Sequence, residues 1–249
     1  MADLSDNKEA RPGNLDFLRL SGDTWQALQE FDDHIKQYHL SLQVPGLDYF
    51  QEAIRLLADI IRGIAEPTPG WHPKFTNGGP VAQVLALSAA GSLRSLLASH
   101  KLLLDGYFME AHVSIRMVEQ WLEVPVIVEA DPSLANKVLE EGVKRKYLRD
   151  AGRKSPEFDR LLQAMRNTRK QLSQRGHVTK TAIRFIAPSM GLVLAGIGND
   201  EMLNRDGLAL AEMAMNVLRV LIRHFKTVPS HWNSRFHLTS KRMKECKSP

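Results

Sequence analysis

Apolar residues recur every three to four positions along most of this chain, which predicts a mainly α-helical fold. A first helix is expected from a cap at Asp23 to about Gln43, ended by Val44-Pro45-Gly46. Phe50, Ile54, Leu57 and Ile61 then mark one face of a second helix, from Leu47 to Glu66. Val81 to Leu104 predicts a long apolar helix, and Asp105-Gly106 a turn. Tyr107 to about Val128 predicts the next helix, with Pro125 as a point of disturbance. Asp131-Pro132 opens another, the acid as cap and the proline at the first helical position, expected to run to about Asp150. Ser155-Pro156-Glu157 opens a further one in the same way, ending near Gly176.

The period then changes. Thr181 to Ala187 and Met190 to Ile197 are rich in β-branched and apolar residues, so a small β-hairpin is expected over about 181–197. Arg205 to about Thr227 returns to helix, with Leu210, Met213, Val217 and Val220 to one side. The chain divides into a flexible arm (1–14), an acidic N-terminal helical pair (15–66) and a loop (67–80) with four prolines and three glycines. A helical domain (81–227) carries the hairpin before its last long helix, and a basic tail (228–249) closes the chain.

Charge changes this picture more than composition does. The 249 residues carry a net +5, unevenly spread. Residues 1–66 hold six basic and twelve acidic side chains; residues 142–249 hold twenty-two and eight. Within 142–186 alone stand thirteen Lys or Arg against three acids. Such a field attracts polyanions or an acidic protein partner. Cys246 is the single cysteine, which excludes an internal disulfide and a cysteine-based zinc site. The N-terminus lacks the apolar run of a secretory signal. The apolar stretch Val81 to Leu93 is too short to span a bilayer. A soluble, cytoplasmic protein with no membrane partner is expected.

Three constellations carry candidate chemistry. On the helix after Pro156, Arg166, Arg169, Lys170, Ser173 and His177 fall within about 100° of arc. A histidine beside fixed cations can move a proton while the cations hold a phosphate, so His177, Ser173 and Arg169 are catalytic candidates. Arg166, Lys170, Arg175 and Lys180 are candidates for nucleic-acid binding. The competing reading is a solvated basic face with a histidine beside a helix stop at Gly176. On the helix after Tyr107, His112, Arg116, Glu119 and Glu123 form one polar stripe on an otherwise apolar helix. That stripe is either a buried supporting network or a solvent face. In the tail, Arg235, Lys241, Arg242, Lys244 and Lys247 lie near Trp232 and Phe236. No metal-ligand motif, phosphate-binding glycine loop or nucleophile elbow is present in the sequence, and no cofactor or metal is expected.

Gly106-Tyr-Phe-Met-Glu-Ala, followed by Arg116 and Glu119, and the later Leu172-Ser173-x-x-x-His177, resemble an uncharacterised bacterial helical-domain family. That family in turn resembles the HEPN superfamily, whose name denotes nucleotide binding in higher eukaryotes and prokaryotes. The resemblance covers roughly residues 80–226 and implies a HEPN-like helical bundle. Many HEPN proteins are metal-independent ribonucleases of toxin–antitoxin or phage-defence systems, with an Arg and a His assembled across a homodimer. Here seven residues separate Arg169 from His177, more than in the family's pattern. Two functions stay open at this point. One is an RNA-binding protein acting as a metal-independent endoribonuclease. The other is a non-catalytic interaction or dimerisation protein whose basic half docks an acidic partner.

Overall fold

The computed structural model describes residues 24–64, 79–154, 156, 159–160, 162–163, 166–167, 200–224 and 230–247. The described residues form eight α-helices and one 3-10 turn, and no strand occurs among them. The mainly α expectation holds. The hairpin expected at about 181–197 lies outside the described residues.

Helices α1 (Thr24–Ser41) and α2 (Pro45–Ile64) are separated by a short break in which Gln43 takes a positive φ of 49°. Pro45 sits at the first helical position, where its missing N–H costs nothing. The buried row of α2 is Phe50, Ala53, Leu57 and Ile60, with Leu56 and Ile61 beside it. Ile54, expected on the same face, is only partly buried.

Helices α3 (Gly79–Leu104) and α4 (Phe108–Ala130) form a tightly closed pair. Gly106, at φ 82°, ends α3: Gly106 N–H bonds the Leu103 carbonyl at 3.3 Å and Tyr107 N–H the Leu102 carbonyl at 2.8 Å. This is the Schellman arrangement that a left-handed glycine permits. Pro125 does not interrupt α4, which continues to Ala130. Proline cannot donate to the carbonyl four residues back. That carbonyl, of Trp121, instead accepts the Ser88 hydroxyl of α3 at 2.5 Å. The Trp121 indole covers Gly91, where a Cβ would collide with it. By length and composition α3 could cross a bilayer, with a mean hydropathy of 1.4 over its best window, but its buried face packs on the other helices.

The helix expected from Asp131 to Asp150 is two helices. Asp131 does cap the start, accepting from Ser133 N–H at 3.2 Å ahead of a 3-10 turn at Pro132–Leu134. Then α5 (Ala135–Glu141) stops at Gly142, which takes a φ of 73°. Helix α6 (Arg145–Lys154) begins three residues beyond that stop. The described residues between Pro156 and Asn167 are helical.

Helix α7 (Asp200–His224) is the central one, with Leu203, Leu210, Ala211, Ala214, Leu218 and Leu221 fully buried. Of its expected face, Leu210 and Val217 are buried, while Met213 and Val220 lie at the margin. Its first turns meet the start of α2 almost backbone to backbone. A Cβ on Gly207 would lie 2.7 Å from the Gly46 carbonyl carbon, and Gly46 N–H bonds Asn204 Oδ1 at 2.7 Å. Helix α8 (Ser230–Lys247) occupies most of the segment expected as a basic tail. Phe236, Thr239 and Met243 are buried, Thr239 bonds Glu52 of α2 at 3.0 Å, and Arg235 pairs with Asp59 at 3.2 Å.

Two hydrophobic clusters result. The larger joins α2, α3, α4, α7 and α8. The smaller, built on Val84, Val124, Val126, Ile127 and Val128, anchors α5 and α6 through Ala135, Val138, Tyr147, Leu148 and Ala151.

Candidate nucleic-acid interface

Helix α6 is five cations on a short apolar foot. Tyr147, Leu148 and Ala151 insert into the smaller cluster, so the rest of the ten-residue helix must face water. Arg145, Lys146, Arg149, Arg153 and Lys154 line that exposed part, with Asp150 the single acid. Asp150 is shared between Arg149 at 3.9 Å and Arg153 at 3.7 Å, both largely exposed. Pairs so loose and wet contribute little to folding and leave the cations available.

Beside α6 lies a hollow of about 480 Å³. Leu148 and Leu162 form its apolar wall, and Arg149, Arg153 and Arg166 surround it, with Asp159 the opposing acid. Gly152 lets the next helical stretch come close: a Cβ there would lie 3.3 Å from Asp159 Oδ1. A smaller hollow of about 240 Å³ on the other side of α6 is lined by Lys137, Lys146 and Lys154 with Asp131 and Asp150. Lys154 already bonds the Ala130 carbonyl and Asp131 Oδ2, each at 3.1 Å.

Among the residues expected to bind nucleic acid, Arg166 stands exposed at the first hollow. Arg169, Lys170, Ser173, Arg175, His177 and Lys180 lie outside the described residues. The described cations that do come together are those of α6 and Arg166.

The α4 stripe resolves the alternative left open by the sequence: it is buried. His112 is 3% exposed, Glu119 2%, and Glu123 is buried with them, while Arg116 is half-buried. The apolar Val113 and Met117 are each 43% exposed on the other side. His112 meets Asp206 of α7, with Nε2 3.3 Å from Oδ2 and both side chains almost fully enclosed. Arg205 Nε donates to Asp206 Oδ1 at 3.0 Å. Burial pushes the Asp206 carboxyl up, but His112 and Arg205 together hold it below the ordinary carboxylate value. Further along, Arg223 of α7 reaches Glu129 of α4 at 3.7 Å. The two pairs are equally spaced along both helices, so α4 and α7 run parallel with a polar seam between them. Arg116 Nε is buried in that region without a hydrogen-bond partner.

Asp206 was not singled out by sequence reasoning. Its signal was an acid beside Gly207 in a helix otherwise patterned for the core. No group of three or more His, Cys, Asp or Glu placed to hold a metal occurs among the described residues. No family model, curated protein or solved structure matches this chain.

Proposed function

We propose that this chain is a HEPN-like RNA-binding protein of the cytoplasm that works as a homodimer. The observation that supports this reading is α6: five basic residues in ten, held by a buried foot, beside a hollow ringed by Arg149, Arg153 and Arg166. Phosphate oxygens are bound by such arrays through charge and counterion release, without reading bases. The resemblance assigns cleavage to His177, helped by Ser173 and Arg169, as a metal-independent endoribonuclease in a bacterial defence or toxin–antitoxin setting. In that reading Lys170, Arg175 and Lys180 extend the phosphate-binding face, and His112, Arg116 and Glu119 brace it from within.

The test is binding and cleavage of labelled total RNA across a salt series, with and without EDTA. Six neutralised phosphates give a log–log salt slope of about −4 on single strands. Salt-insensitive binding, or none at low salt, defeats the proposal. Cleavage that survives EDTA and falls by about 10² in His177→Ala supports the enzymatic part. Binding without cleavage removes it.

One observation favours a second reading. Leu87 and Leu97 of α3 and Val113 and Met117 of α4 are exposed apolar side chains on the α3–α4 pair. They suit a non-catalytic dimerisation or interaction module whose basic half docks an acidic protein. That reading predicts a dimer with no RNA affinity at physiological salt.

A further inference from the structure

Among the described side chains, helix α1 meets the corner between α3 and α4 through Asp32 and His39, and a second titratable ring, His100 of α3, lies within the field of Lys36 of α1. Ile35 and His39 are fully buried. His39 Nδ1 lies 2.7 Å from the Leu104 carbonyl, so Nδ1 carries the donated proton. Its ring stands edge-on to Phe108 at 5.7 Å. Tyr107 donates its hydroxyl to Asp32 at 2.9 Å. Below the corner, the His100 ring packs on Phe50 of α2 at 4.9 Å, and its Nε2 is buried without a hydrogen-bond partner. Most other described side chains of α1, among them Gln26, Asp33, His34, Gln37 and Leu40, face water.

We infer that α1 is an acid-released latch: proton uptake by His39 and His100 undocks residues 24–41 from the α3–α4 corner while the core of α2, α3, α4 and α7 stays folded.

The surroundings of the two rings set the direction. His39 faces the Leu104 carbonyl from α3, Asp105 from the turn and the Phe108 ring from α4. His100 faces Lys36 from α1 and Phe50 from α2. Burial lowers the pKa of both rings. For His39 the Leu104 carbonyl and Asp105 oppose that fall; for His100 Lys36 adds to it. Asp105 is itself pushed up by burial, with Lys36 and Lys101 pulling it back and Asp32 and Asp33 adding to the rise.

Both histidines are lowered in the docked state, so their contribution is complete above the ordinary value of 6.5 and is lost as pH falls below it. The undocked helix takes up protons there, and the docked one resists. The orphaned His100 Nε2 fits this direction: a charged ring in that position would hold an N–H with no acceptor.

The test is amide hydrogen exchange of the full chain, followed by mass spectrometry from about pH 7.5 to about pH 5 and corrected for intrinsic rates. Protection of residues 24–41 should fall by up to about tenfold per pH unit for each histidine that takes up a proton, with α7 unchanged. His39→Asn keeps a donor for the Leu104 carbonyl but does not titrate, and His100→Phe fills the same space beside Phe50. The double variant should hold α1 protection level across the range. Should the double variant fail to dock α1 at any pH, His100→Phe alone decides, and its release must move to lower pH. A flat wild-type profile, or a His100→Phe profile identical to wild type, overturns the inference.

Discussion

The α6 face and the α4–α7 seam use the same kinds of side chain to opposite ends. On α6 the cations are exposed, share one acid at 3.7–3.9 Å, and act as a sum. In the seam, His112 and Asp206 are enclosed and have few partners, so each acts as an individual. The difference is dielectric. Water screens any one charge on α6 to near irrelevance for folding, whereas a buried charge that loses its partner keeps its full desolvation cost. Function can therefore reside in the α6 face without strain on the fold, while the seam orients helices and tolerates little.

The sharpest way to break this comparison is His112→Ala. It leaves the enclosed Asp206 carboxylate with only the largely exposed Arg205 as a partner, and chemical denaturation should show a loss of about 3–5 kcal/mol. A loss under about 1 kcal/mol would mean that the seam behaves like surface. Next in size is the reversal of Arg149, Arg153 and Arg166 to Glu together. RNA affinity should fall by about 10² to 10³, while the melting temperature moves by no more than about 2 °C. A large thermal shift would show that these arginines hold the fold.

Acid should separate the two regions as well. Asp206 is lowered in the fold, so its contribution is complete above the ordinary value of 3.8 and is lost as pH falls through the still lower folded value. Asp206→Asn should flatten that acid limb of a stability–pH profile; substitutions of Arg149 or Arg153 should leave it in place. The smallest expected effect is Ser88→Ala, which removes the donor that replaces the missing proline N–H at the Trp121 carbonyl. A cost of about 1 kcal/mol is expected from equilibrium unfolding, and the deficit should vanish when Pro125→Ala restores a backbone donor.

Much of the helical framework was legible from periodicity. The bounds of α2, α3 and α4 lie within a few residues of those expected, because Pro45, Gly106 and Asp131 act through neighbours in the chain. The stripe His112, Arg116, Glu119 and Glu123 was legible as a set, since spacings of four, three and four fall on one face of any helix. Its environment was not. The sequence pattern placed apolar residues around most of α4, yet Val113 and Met117 ended outside and the charges inside. That inversion depends on Asp206, about ninety positions away, and on the parallel run of α7. Gly142 was equally visible, but its left-handed conformation, which splits the expected helix into α5 and α6, was decided by both halves docking on the smaller cluster.

The sequence by itself determined that the chain is mainly helical, that charge is polarised toward residues 142–249, and that the residues of each polar stripe share a face. These follow from the helical repeat and from local capping chemistry, which act over four residues or fewer. Tertiary structure alone decided which stripe is buried, where α2 and α7 touch through Gly46 and Gly207, and that residues 230–247 form a helix packed on α2. Those outcomes depend on contacts across about ninety residues or more, as between His112 and Asp206, Gly46 and Asn204 or Thr239 and Glu52, and no local period encodes such a partner.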